Sequence, residues 1–133
     1  MSGLAVQKAV VGRLRMDTGV AALVGTRVYD QPPPNPTFPY ISLGPETIAP
    51  SRADCYDGSD VTIQVDAWSR AVGFPEVKAI SEAVRASLHE YDLSVTDYRV
   101  VDVSMTEART FRDSDGLTNH AALTFRVLTE PVN

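Results

Sequence analysis

Asp60-Val61-Thr62-Ile63-Gln64-Val65-Asp66-Ala67-Trp68-Ser69 is the stretch on which the fold turns. Val61, Ile63, Val65 and Ala67 alternate with Asp60, Thr62, Gln64 and Asp66, four clean repeats of period two. Successive side chains of a strand point to opposite faces, so this segment reads as a strand with one covered and one polar face. A strand buried on both faces would read as a continuous apolar run instead, so the alternation favours an antiparallel sheet. Trp68 interrupts the polar face and reads either as a side chain packed beneath an adjacent loop or as an anchor for another subunit.

Downstream of this strand the period changes. Phe74, Val77, Ile80, Val84 and Leu88 form one apolar stripe, with Pro75 suited to the first helical position, and predict a helix over Pro75–His89. Two further strands are expected, Tyr98 to about Phe111 and Thr118–Thr129, joined by a hairpin loop over Arg112–Leu117 with an Asp-Gly turn. Upstream, Tyr40–Gly44 alternates as a strand that extends to Ile48 if it survives the break at Pro45. Ala49–Gly58 reads as a polar, acidic loop. Gln31–Pro39 holds five prolines in nine residues, which excludes helix and central strand and predicts a polyproline-like surface loop.

At the start of the chain Val6, Val10 and Leu14 share a stripe with Ala9 beside it, predicting a helix over about Leu4–Met16 capped by Ser2. Asp17-Thr18-Gly19 ends it, Val20–Val24 adds a short helical turn, and Arg27-Val28-Tyr29 is a brief extended piece. The order is αββαββ. The expected class is α+β: a mostly antiparallel four-stranded sheet with two helices packed on one face, as a single domain over residues 1–133.

A chain of 133 residues with 44% hydrophobic and 22% charged residues can bury a core without disulfides or a structural metal. The longest aliphatic run, Val20–Val24, is far below the roughly 20 residues that a bilayer requires, so no membrane partner is expected. Lys8, Arg13 and Arg15 interrupt any apolar centre near the N-terminus, which argues against a signal peptide and for folding in the cytoplasm. Net charge is −5, with 17 acidic against 12 basic residues, a poor balance for gripping phosphates. Ten of the twelve basic residues are arginine, the cation enriched at protein interfaces.

Residues that carry chemistry are few. His89 lies at the end of the second helix and His120 opens the last strand, and both read as capping or solvated surface side chains. Cys55, the one cysteine, sits among Asp54 and Asp57, whose charges disfavour a thiolate. Asp113-Ser114-Asp115-Gly116 matches part of a calcium loop, but Phe111 and Ala122 occupy positions that need oxygen ligands. No phosphate-binding glycine pattern and no G-x-S-x-G occurs. Neither a catalytic residue, a metal site nor a cofactor is expected. The proline-rich and acidic loops are the better functional candidates.

A family resemblance enters at Leu23-Val24-Gly25-Thr26-Arg27-Val28-Tyr29, followed after the proline gap by Phe38-Pro39-Tyr40-Ile41-Ser42-Leu43-Gly44. A second block runs from Val65-Asp66-Ala67-Trp68-Ser69-Arg70 to Glu76–Leu88. Together these blocks resemble the tail-completion proteins of long-tailed phages, also described as tail terminators or head–tail joining proteins and present in gene transfer agents. The resemblance implies a structural, non-catalytic virion protein that assembles in the host cytoplasm into a homo-oligomeric ring, hexameric in the family. Such a ring would cap the head-proximal end of the tail tube, stop its growth and meet the connector or stopper protein of the head, with DNA passing through its lumen. In that setting Trp68, Arg70, Pro33, Pro34, Phe38 and Arg112 are candidate subunit or partner contacts. Asp54, Asp57, Asp113 and Asp115 are candidate lumenal or axial acids. Another connector or tail-tube component is the alternative within the same particle. A small-ligand or enzymatic domain using Asp113, Asp115 and His120, and a nucleic-acid-binding module, are the alternatives outside it.

Overall fold

The computed structural model describes residues 1–51 and 58–132. Three helices, α1 (Gly3–Met16), α2 (Thr18–Val24) and α3 (Pro75–Leu88), accompany five strands, β1 (Val28–Tyr29), β2 (Tyr40–Ser51), β3 (Gly58–Ser69), β4 (Tyr98–Arg112) and β5 (Asn119–Pro131). The sheet order is β1-β2-β3-β5-β4. The four long strands pair antiparallel, as the alternation in β3 favours, while the two-residue β1 lies parallel to β2. The class is therefore α+β as expected. Among the described residues the sheet is five-stranded and mixed instead of four-stranded and mostly antiparallel, and the helices number three instead of two.

Both differences have local causes. Asp17 leaves the helical conformation with ψ 123° and closes α1, then accepts a hydrogen bond from the Val20 amide with its own carboxylate and opens α2. The expected single turn thus becomes a capped helix that buries Val20 and Val24. Arg27 O accepts from Ile41 N–H and Arg27 Nε donates to Pro39 O, which pulls the extended piece after α2 against β2 and makes it a strand. Ser2 holds the N-cap position of α1, but its side chain makes no capping hydrogen bond. It is fully buried, and its hydroxyl meets the Thr129 hydroxyl on β5 at 2.8 Å.

Pro45 does not end β2. The ladder with β3 slips between Leu43 and Glu46 and resumes to Ser51, so Gly44 and Pro45 occupy a bulge. That stretch lies beyond the reach of β1, where a residue without an N–H is tolerated at a sheet edge. The expected acidic loop after it begins later than Ala49, and its acids Asp54 and Asp57, with Cys55, fall outside the described residues.

The helices occupy the face of the sheet that carries Val61, Ile63, Val65 and Ala67. Val6, Val10 and Leu14 of α1, Val20 and Val24 of α2, and Val77, Ile80, Val84 and Leu88 of α3 pack there against Leu123, Phe125 and Val127 of β5. Arg13 ties α1 to the end of α3 by donating to Ser87 O at 3.1 Å while its guanidinium covers the Tyr91 ring at 3.6 Å. The opposite face carries Asp60, Thr62, Gln64, Asp66 and Trp68 and, among the described residues, no helix. β5, last in the chain, sits between β3 and β4, so the β3-to-β4 connection through α3 passes over it. Among the described residues no helix is long and apolar enough to cross a membrane.

Candidate interaction surface at one end of the sheet

The central pairings align Tyr40 with Trp68, Trp68 with His120, and His120 with Phe111, so four rings cross the helix-free face of β2, β3, β5 and β4 in one row. Trp68 stacks on His120 with centroids 3.8 Å apart and on Tyr40 at 6.1 Å, and Phe111 tilts onto His120 at 4.6 Å. Phe38 extends the row from the preceding loop, 5.1 Å from Tyr40. Such ring pairs contribute about 0.5–1.5 kcal/mol each beyond the area they bury. Polar atoms fix the row from behind. Trp68 Nε1 donates to Ser42 Oγ at 2.8 Å. Asp66, 5% exposed, accepts from Gln64 Nε2 at 2.8 Å and from His120 Nε2 at 2.7 Å. A carboxylate only accepts, so His120 Nε2 carries the proton in this pair. Gly44 makes the arrangement possible, since a Cβ there would stand 2.6 Å from Asp66 Oδ2.

Three loops frame the row at this end of the sheet: residues 30–39, 70–74 and 113–118. Asn119, 1% exposed, donates through Nδ2 to Ala71 O at 2.9 Å and Gly73 O at 2.7 Å, binding the second loop to β5. Arg70 lies over the Phe38 ring at 4.3 Å and donates to Thr118 Oγ1 at 3.2 Å, so it touches the other two loops at once. Asp115 shapes the hairpin loop: Oδ1 accepts from the Leu117 and Thr118 amides at 2.8 Å, and Oδ2 from the Thr118 hydroxyl at 2.7 Å. The Thr118 hydroxyl bond and then the two amides hold its carboxyl down at about 2. Gly116, φ 73°, takes the left-handed position of this loop, which spans six residues between β4 and β5 and is wider than a two-residue Asp-Gly turn. Burial pushes the Tyr40 phenol up, so it remains a neutral donor.

The loops and the row enclose an open cleft of about 370 Å³ walled by Phe38, Tyr40, Trp68, Arg70, Asp113 and Asp115. Five of the residues singled out from sequence, Phe38, Trp68, Arg70, Asp113 and Asp115, thus converge. Arg112 lies apart from the cleft over the Phe74 ring at 4.7 Å, and Pro33 and Pro34 stand exposed on the first loop outside it. His120 is not the solvated side chain expected from its position, because Trp68, Phe111 and Asp66 enclose it to 9% exposure. His89 is the C-cap residue of α3, its backbone N–H donating to Arg85 O at 2.8 Å, and its Nδ1 accepts the Met105 amide at 3.1 Å, so it also joins α3 to β4. Sequence reasoning missed Asp66, Ser42 and Asn119. Their roles depend on the β2–β3–β5 register, which no local signal carries.

The arrangement suits recognition better than catalysis. His120 Nε2 is committed to Asp66, and Nδ1 stands 3.7 Å from Asp113 Oδ1, beyond hydrogen-bond range. Both oxygens of Asp115 are consumed within its own loop. Among the described residues no three His, Cys, Asp or Glu side chains converge to hold a metal ion. What the end of the sheet presents is a braced set of rings, one arginine and two carboxylates.

The α+β sheet is covered by helices on one face and ends in braced, aromatic-lined loops. The chain belongs to the tail completion protein gp17 family, whose model matches residues 8–130. It is similar to a chain of the virion of a native gene transfer agent particle at 35% identity, over 97% of both chains, with a TM-score of 0.90. It shares its fold with the gp17 protein of bacteriophage SPP1, at 23% identity over 98% of this chain and 90% of that one, TM-score 0.64. No curated protein matches.

Proposed function

We propose that this protein is a tail terminator without catalytic activity: a homo-oligomeric, six-membered ring at the head-proximal end of a phage or phage-like tail tube. It stops tube growth, meets the head connector on its other face, and lets DNA pass through the lumen. The observation that carries the reading is the match of residues 8–130 to the tail completion protein gp17 family, supported by a match over 97% of both chains to a chain of a gene transfer agent virion. The net charge of −5 supports it, since a conduit for DNA functions best without cationic side chains that trap phosphates. In this reading Trp68, Arg70, Phe38 and Arg112, with Pro33 and Pro34 on the exposed loop, contact neighbouring subunits or partners. Asp113 and Asp115 face the lumen or the ring axis.

Deletion of the gene in the producing cell, followed by negative-stain electron microscopy, tests this. Overlong tubes, or tails and filled heads left unjoined, are the expected outcome. Particles with attached tails of normal length would refute it.

A further inference from the structure

Pairing register sorts the side chains of the sheet between its two faces. On the helix-free face Thr47, Thr62, Arg126 and Ser104 stand in one row across β2, β3, β5 and β4. The row on one side of it holds Asp60 and Asp102, and the row on the other, toward the rings, holds Gln64, Thr124 and Glu107. This middle of the face offers hydroxyls, an amide and charges. It lacks the large apolar side chains around which a protein interface packs, so it can remain wet.

Its arginines are matched where they stand. Arg126 donates through Nε and Nη2 to the two oxygens of Asp60, and the Asp102 carboxylate adds to the field around it. Arg99 pairs with Glu130, one row beyond Asp60. Arg109 lies over the Phe111 ring at 5.1 Å, next to Glu107 along the same face. Asp102 and Glu107 remain exposed. Both lysines of the chain lie in the other layer, Lys8 on α1 and Lys78 on α3, and α1 carries Arg13 and Arg15 with no acidic residue. A DNA duplex is held where lysine and arginine displace its counterions. A face whose arginines are matched and whose exposed charges include carboxylates gives phosphates little to hold and lets them pass.

We propose that the helix-free face of β2, β3, β5 and β4 is the wall of the DNA channel, with Asp60, Thr62, Asp102 and Glu107 turned toward the duplex. This assignment rests on the ring reading above and says which face of the fold the lumen sees. Asp113 Oδ1 stands 3.7 Å from His120 Nδ1, so the hairpin acid continues the same surface, and the row of rings closes it at the loop end. The test compares particles carrying Thr62→Lys/Glu107→Lys with particles carrying Ala22→Lys/Glu82→Lys, which adds the same charge to α2 and α3. All four positions are exposed, so both proteins should melt with the parent. DNA delivery into recipient cells is measured over a range of salt concentrations. The sheet-face variant is expected to form tailed particles that deliver DNA roughly tenfold or more slowly at low salt and recover as salt rises, while the helix variant matches the parent. Parental delivery by the sheet-face variant, slowing in the helix variant instead, or a sheet-face variant that melts with the parent but forms no tailed particles would each overturn the wall. The deletion strain separates the two readings. If particles lacking the protein keep attached tails and deliver DNA normally, the ring reading falls and the wall with it. A deletion defect beside parental delivery by the sheet-face variant removes the wall alone.

Discussion

Asn119→Ala is expected to be among the most damaging single polar substitutions in this protein. The side chain is 1% exposed, and its Nδ2 supplies hydrogens to Ala71 O and Gly73 O. Each hydrogen bond contributes about 0.5–1.5 kcal/mol net, and a buried carbonyl left without a donor costs about 1–3 kcal/mol where water cannot replace the lost partner. With two acceptors affected and the 70–74 loop free to relax toward solvent, a loss of about 2–3 kcal/mol results. For a domain of this size each kcal/mol moves the midpoint by about 3–5 °C, so a drop of about 6–15 °C is expected in a thermal melt followed by circular dichroism. Asn119→Asp separates hydrogen bonding from packing. It preserves the volume but turns acceptor oxygens toward acceptor carbonyls, and it should melt below the alanine variant. If Asn119→Ala melts within 2 °C of the parent, or the aspartate variant is the more stable of the two, the bracing assigned to this residue is wrong.

Phe125→Ala, at the largest fully buried side chain, should cost about 3–5 kcal/mol and lower the urea midpoint without changing the slope of the transition. Gly44→Ala places a methyl group against the Asp66 carboxylate, 2.6 Å from Oδ2 in the present geometry, so it should destabilise and perturb the His120 ring resonances in an NMR spectrum. Asp115 has its carboxyl held at about 2, below the ordinary value of 3.8, so its contribution is fully present above pH 4 and is lost as the pH falls through 2. Amide hydrogen exchange at Leu117 and Thr118 should therefore accelerate, after correction for intrinsic rates, between pH 4 and pH 2, and an unchanged protection factor would contradict the assigned bonds. Asp60, held low chiefly by its hydrogen bonds to Arg126, should behave the same way: Asp60→Asn should lessen the acid sensitivity of the fold.

The long elements and their polarity were legible in the sequence. Four alternations over residues 60–67 required a one-sided antiparallel strand, and the stripe Val77, Ile80, Val84, Leu88 required a helix lying on an apolar surface. These patterns are local, so they survive without knowledge of the rest of the chain. The blocks around Tyr40–Gly44 and Val65–Arg70 carried the family for the same reason. Of the candidate contacts, Phe38, Trp68 and Arg70 were legible because rings and arginine stand out beside loops. Their assembly into one cleft was not.

Tertiary structure alone decided which strand stands beside which. Insertion of β5 between β3 and β4 brings His120, 52 residues beyond Trp68, into ring contact with it, and converts a residue read as surface into the centre of a row. The same insertion places Asn119 under the loop that follows β3. The sequence showed β1 and α2 only as an extended piece and a helical turn, because segments this brief do not carry enough periods to show a capped helix or a paired strand. They exist because Arg27 finds the carbonyl of Pro39 and Asp17 can serve two helix ends at once. Pairing register depends on the free energy of the whole sheet, and a chain read one window at a time does not contain it.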